Sequence, residues 1–113
     1  MKEAEIRLSK LIDVLNERFG TDFKPGDQLF FESIREDALL DSSLQQAAMA
    51  NNTIENFGYA FNRALEDLVV SRMEQNGEIS AKFFNDREFR DIVSQKLMRE
   101  VFDQIRETQE VGA

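Results

Sequence analysis

Apolar residues recur every three to four positions along most of this chain, the spacing that gathers them on one side of an α-helix. Ala4, Leu8, Leu11, Ile12, Leu15 and Phe19 predict an amphipathic helix over residues 4–19, with Gly20 as its stop. Thr21–Gly26 reads as a loop, marked by the Pro25-Gly26 turn signal. A second helix is expected from Asp27 to Leu40, Asp27 standing at the positive end of the helix dipole. Phe30, Ile34 and Ala38 share its inner face, which Leu29 and Phe31 widen. Ser42 and Gln45 form a capping-box pattern for a short helix through Ala50. Asn51-Asn52-Thr53 breaks the chain, and Asn52 with Glu55 repeats that pattern. Ile54, Phe57, Phe61, Ala64, Leu65, Leu68 and Met73 then mark a long helix over 54–76, ended by Asn76-Gly77. A short helix over 79–84 follows. Asp86 is placed to cap a last long helix over 87–107, whose inner face holds Phe89, Ile92, Val93, Leu97, Val101, Phe102 and Ile105. Thr108–Ala113 is expected to fray.

Composition turns this pattern into a fold class. The 113 residues suit one domain, 1–113, and 42% are hydrophobic, ten of them Phe, which is enough for one core. One Pro and five Gly provide too few turns for a β-sandwich. The expectation is an all-α single compact bundle of about five to six helices, two of them long (54–76 and 87–107). Cys is absent, which excludes a disulfide framework and thiolate metal ligation. No apolar run reaches the roughly 18 residues of a membrane span, and Met1-Lys2-Glu3-Ala4-Glu5 lacks a signal-peptide core. A soluble, cytoplasmic chain with no membrane partner is the simplest expectation.

The formal charge of −8 is uneven. Residues 25–58 carry Arg35 alone against Asp27, Glu32, Glu36, Asp37, Asp41 and Glu55. A domain that holds DNA by itself normally offers a basic surface, because phosphate neutralisation dominates affinity. This balance fits a solvated surface or a basic protein partner better.

Candidate chemistry is sparse. His is absent, and with it the usual general base and the commonest metal ligand. There is no phosphate-binding glycine loop and no nucleophile elbow. A calcium loop begun at Asp22 places Lys24 and Gly26 at ligand positions and Ser33 at its end, so it fails. No catalytic, cofactor-binding or metal-ligating residue is expected. The candidates are interface residues. Lys96, Arg99 and Arg106 recur along the last helix with Arg87 and Arg90 near its start, as contacts to DNA backbone or an acidic protein or, more simply, as a solvated face interleaved with Glu100, Asp103 and Glu107. Phe30-Phe31 and Phe83-Phe84 are adjacent pairs, and one helix face cannot bury both members; Phe31 and Phe84 are therefore interface candidates, unless a helix is covered on two sides. Tyr59, the lone tyrosine, can set its hydroxyl at a rim.

One stretch carries a resemblance. Leu8-Ser9-Lys10-Leu11-Ile12-Asp13-Val14-Leu15-Asn16-Glu17-Arg18-Phe19-Gly20-Thr21-Asp22-Phe23, followed by Asp27-Gln28-Leu29-Phe30-Phe31-Glu32, resembles the extreme C-terminal segment of type I restriction endonuclease R subunits. Asn51-Asn52, Asn56-Phe57-Gly58-Tyr59-Ala60-Phe61, Glu66-Asp67, Arg72-Met73 and Asp86-Arg87-Glu88-Phe89-Arg90 follow in similar order, so the likeness is collinear over residues 8–106. It implies a C-terminal helical domain, a fragment of a larger R subunit, linked to docking on the methyltransferase core of the complex and lying beside the parent's motor domains. ATP and Mg would then belong to the motor and nuclease domains upstream, and DNA would be reached through the complex. Two other readings stand beside it: an auxiliary DNA-contacting module using Arg87, Arg90, Lys96, Arg99 and Arg106, and a freestanding helical homodimer or regulator.

Overall fold

The first apolar stripe becomes α1 (Glu3–Phe19), which stops at Gly20 with φ +63°, a left-handed conformation that strains any L side chain. The computed structural model describes residues 3–50 and 53–112, and side chains over 10–50 and 53–108. Leu11, Ile12 and Leu15 are buried as the stripe requires; Ala4 and Leu8 lie outside the described side chains. The loop after Gly20 is organised by Asn16. Its Oδ1 accepts from the Phe23 amide and from the Thr21 hydroxyl (2.8 Å each), and its Nδ2 donates to the Phe23 carbonyl at 3.0 Å. These bonds satisfy the backbone on both sides of Phe23, which lets its ring enter the core edge-on to Phe89. Further along, the Asp22 carboxylate bonds Lys24 Nζ at 2.8 Å and, with the Asp27 charge, raises the exposed ammonium above its ordinary pKa.

A 3-10 turn (Pro25–Asp27) leads into α2 (Gln28–Leu40). Asp27 makes no cap on that helix. Its carboxylate turns back to accept from the Lys24 amide at 2.8 Å and from Asn76 Nδ2 at 3.1 Å, pinning the loop to a distant turn. The adjacent Phe30 and Phe31 are both buried, and Leu29 is the exposed neighbour at 63%. The reason is position: α2 packs against α1, α4, α6 and α3, so it is covered on more than one side. α3 (Ser42–Ala50) starts where expected, but Asp41 caps it: Oδ1 accepts from the amides of Ser43 (2.8 Å) and Leu44 (3.2 Å). Gln45 instead donates to the Leu39 carbonyl at 2.7 Å, so the Ser42–Gln45 box does not form.

Thr53 caps α4 (Ile54–Val70), its Oγ1 accepting from the Asn56 amide at 3.4 Å; Asn52 lies outside the described residues. The helix stops six residues short of the expected end at 76. Beyond Val70 the backbone tightens into i→i−3 turns (Arg72 N–H to Val69, Met73 N–H to Val70), and the Asn76 side chain caps the next helix at the Ile79 amide (3.1 Å). Met73 accordingly leaves the inner stripe and stands 50% exposed in the turn. α5 (Gly77–Asn85) leads to α6 (Arg87–Gly112), capped by Asp86 at the Phe89 amide (3.2 Å) as expected. No Gly or Pro interrupts residues 87–111, and α6 runs to Gly112; Ala113 lies outside the described residues.

α6 is the axis of the fold and packs against all five other helices. Phe89, Val93, Leu97, Met98, Val101, Phe102 and Ile105 fill the core from it. The radius of gyration, 13.8 Å, is close to the roughly 13 Å of a packed domain this long. Among the described residues the structure contains no strand, and no helix is long and apolar enough to cross a membrane.

Gly58 explains how closely α4 approaches α6. A Cβ there would sit 2.9 Å from Met98 Sδ. Gly58→Val is expected to destabilise the fold by about 1–3 kcal/mol, since a branched side chain must push Met98 out of a filled core. A urea midpoint at or above that of the native chain would contradict this packing.

Arg35 is a buried cation that the interior satisfies only in part. It is 7% exposed and bonds Glu36 at 3.1 Å, while Nε and Nη1 have no hydrogen-bond partner. A buried, partly satisfied cation is commonly no more stable than an apolar chain of similar length. Arg35→Met is therefore expected to hold or raise thermal stability, by up to about 1 kcal/mol. A clear fall in melting temperature would show that the guanidinium contributes more than its geometry suggests.

Candidate docking surface

Two large side chains stand outside the core more completely than any other described apolar residue. Tyr59 is 82% exposed and Leu40 79%. Their placement follows from helix geometry. Tyr59 lies two residues from both Phe57 and Phe61, so burying those rings turns Tyr59 to the opposite side of α4. Leu40 is the last residue of α2, held at the corner by the capping Asp41.

Between α3 and α4 lies an open cleft of about 670 Å³. Asp41, Ser43 and Leu44 border one side; Tyr59, Arg63 and Asp67 border the other, with Ala60 and Ala64 among them. The two alanines leave space that longer side chains would fill. Asp67 is exposed and Asp41 half-buried, with the exposed Arg63 as the cation of the lining, whereas Arg35, the one basic residue of the 25–58 segment, is buried. The cleft therefore presents two carboxylates, one guanidinium and apolar surface together.

The other candidate residues divide into several places. Phe31 is fully buried, not exposed for an interface, because the helices packed on more than one side of α2 cover it. Phe84 is 41% exposed, edge-on to the buried Phe83 at 5.1 Å between centroids. It borders a separate polar cleft of about 640 Å³ with Arg87 and Arg90. Arg90 is already engaged: its guanidinium pairs with Glu66 and lies 5.1 Å from the Phe83 ring centre. Arg106 donates to the Ala48 carbonyl at 3.0 Å and stacks over Phe102, joining α6 to α3. Lys96 and Arg99 are exposed and border a third cleft of about 390 Å³ with Ile92 and Glu100.

These cations do not form one continuous face. Nine residues separate Arg87 from Lys96, about two and a half helical turns, which sets them on opposite sides of α6. With Arg90 and Arg106 bonded within the fold, a phosphate-tracking strip along this helix has little geometric support. Among the described residues no three carboxylates converge as a metal-binding group.

Sequence reasoning singled out Tyr59 but missed Leu40 and Asp41. The signal for Leu40 was present: Leu39-Leu40 directly precedes a helix cap, where only one of two neighbours can face inward. No known protein family, curated protein or solved structure matches the chain.

Proposed function

We propose that the chain is a non-catalytic docking module, the C-terminal helical part of a type I restriction enzyme R subunit. The observation that carries the docking reading is Tyr59, about four-fifths exposed, at an open cleft whose lining begins with Asp41, the residue after the equally exposed Leu40. Large amphipathic and aliphatic side chains held out on rigid helices are what interfaces use as anchors. The R-subunit assignment rests on the collinear resemblance over residues 8–106, with which an all-α bundle is consistent.

On this reading the methyltransferase core and the parent's motor domains are the partners. ATP and Mg serve domains outside this chain, and DNA is met through the assembled complex. The test is capture of the methyltransferase core of the type I system from the same genome by the immobilised chain. Retention that survives moderate salt is expected; no retention would reject the R-subunit assignment. DNA of any sequence, assayed alongside, is expected to bind negligibly at physiological salt. Tight, steeply salt-dependent DNA binding would favour the auxiliary DNA-contacting reading instead.

A further inference from the structure

We infer that the α3–α4 cleft receives a cationic segment of a partner protein, with an apolar side chain entering beside Tyr59. This rests on the docking reading above but not on the identity of the larger complex. Three features specify the occupant.

The first is charge. Asp41 and Asp67 stand at the cleft with Arg63 as the basic residue among its lining. Glu55, about one helical turn before Tyr59 on α4, adds an exposed carboxylate, and the 25–58 segment adds no exposed cation, because Arg35 is buried. Glu36 and Asp37 do not count toward this charge, since Arg35 and Arg72 already pair with them. A Lys- or Arg-bearing segment meets a complementary field here, and an acidic one is repelled.

The second is shape and polarity. Tyr59, Leu44, Ala60 and Ala64 give the cleft apolar surface, and the exposed Leu40 immediately precedes Asp41 of its lining. A tyrosine beside small residues offers a flat ring and an adjacent recess, a good seat for one aliphatic or aromatic side chain.

The third concerns a second copy of this chain. A copy presenting the same face would oppose carboxylates to carboxylates, and the chain as a whole carries −8. Self-association through the cleft is therefore disfavoured, and a basic partner is the occupant the surface fits.

The test uses the full chain, ¹⁵N-labelled, titrated with a synthetic amphipathic peptide of about 18 residues built from Lys, Leu and one Trp. Its counterpart with Glu in place of Lys is the control. Amide shifts are expected over residues 40–44 and 59–67 with the Lys peptide and not with the Glu peptide. Tyr59→Ser and Asp67→Lys are each expected to weaken binding about tenfold, while Lys96→Asp leaves it unchanged. Both cleft residues are exposed, so the variants should fold, and circular dichroism checks this; Asp67→Lys serves if Tyr59→Ser does not.

Shifts spread over other surfaces, an equal response to both peptides, or no shift at the cleft would overturn the inference. So would concentration-dependent dimerisation that perturbs the same amides, since the occupant would then be a second copy. Peptide binding at the cleft without capture of the methyltransferase core would leave this surface standing and remove the R-subunit assignment. Capture of the core that survives both cleft substitutions would do the reverse.

Discussion

Phe31→Ala is expected to lower stability by about 3–5 kcal/mol, most of what a domain of this size normally holds in reserve. Phe31 is fully buried, edge-on to Phe30 at 5.5 Å between ring centres, in a helix covered by four others. Truncation removes the transfer energy of the ring and leaves a cavity that rigid helices close poorly. The neighbouring Leu29→Ala is the control, because Leu29 is 63% exposed. Urea denaturation should shift the midpoint sharply for Phe31→Ala and by no more than about 0.5 kcal/mol for Leu29→Ala. Equal effects would mean that α2 is rotated from the orientation described.

Arg72→Ala is the second large effect, expected at about 2–3 kcal/mol. Arg72 joins the turn after α4 to the middle of α2. Nε donates to Ser33 Oγ at 2.7 Å, Nη2 to the Ser33 carbonyl at 3.4 Å, and Nη1 to the Leu68 carbonyl at 3.1 Å. The same guanidinium pairs with Asp37, and the Arg72 side chain is only 12% exposed. Removing it strands partly buried acceptors and frees the Asp37 charge, which costs more than losing a surface pair. Asp37→Asn is expected to cost under about 1 kcal/mol, because half of the Asp37 side chain already faces water. A double-mutant cycle checks the coupling; no loss in Arg72→Ala would show that the turn is held by other contacts.

The same residues show what could be read from sequence. The inner stripes of α4 and α6 were legible because period and burial agree, and Asp86 announced its helix by its position before an apolar run. Phe31 could be read either as an interface residue or as part of a helix covered on two sides, because adjacent aromatics cannot share one helix face; its burial depends on a second layer of helices that no local window contains. The end of α4 was misread for a related reason. Asn76 can close one helix or open another, and its bond to Asp27 forms only after distant segments meet. Asn16 illustrates a third limit: a polar residue on an amphipathic helix gives no local sign of its partners, yet it organises the loop that seats Phe23.

The candidate surface was half legible. Tyr59 stood out as the lone tyrosine, but the cleft beside it arises from α3 lying against α4, and Asp41 reaches its rim through a cap that the Ser42–Gln45 pattern concealed. Arg90 and Arg106 read as members of a mixed-charge strip on the last helix, and the fold fastens them across helices to Glu66 and to the Ala48 carbonyl. Charge along a helix face is readable from sequence; which charges are already partnered across helices is not.

The docking proposal is tested most directly by assembly in the intact enzyme. Sedimentation velocity would compare the methyltransferase core mixed with an R subunit that carries this segment and with one that lacks it. The complete subunit is expected to move with the core as a single faster boundary, and the shortened one to sediment separately. Equal assembly by both subunits would contradict the docking proposal.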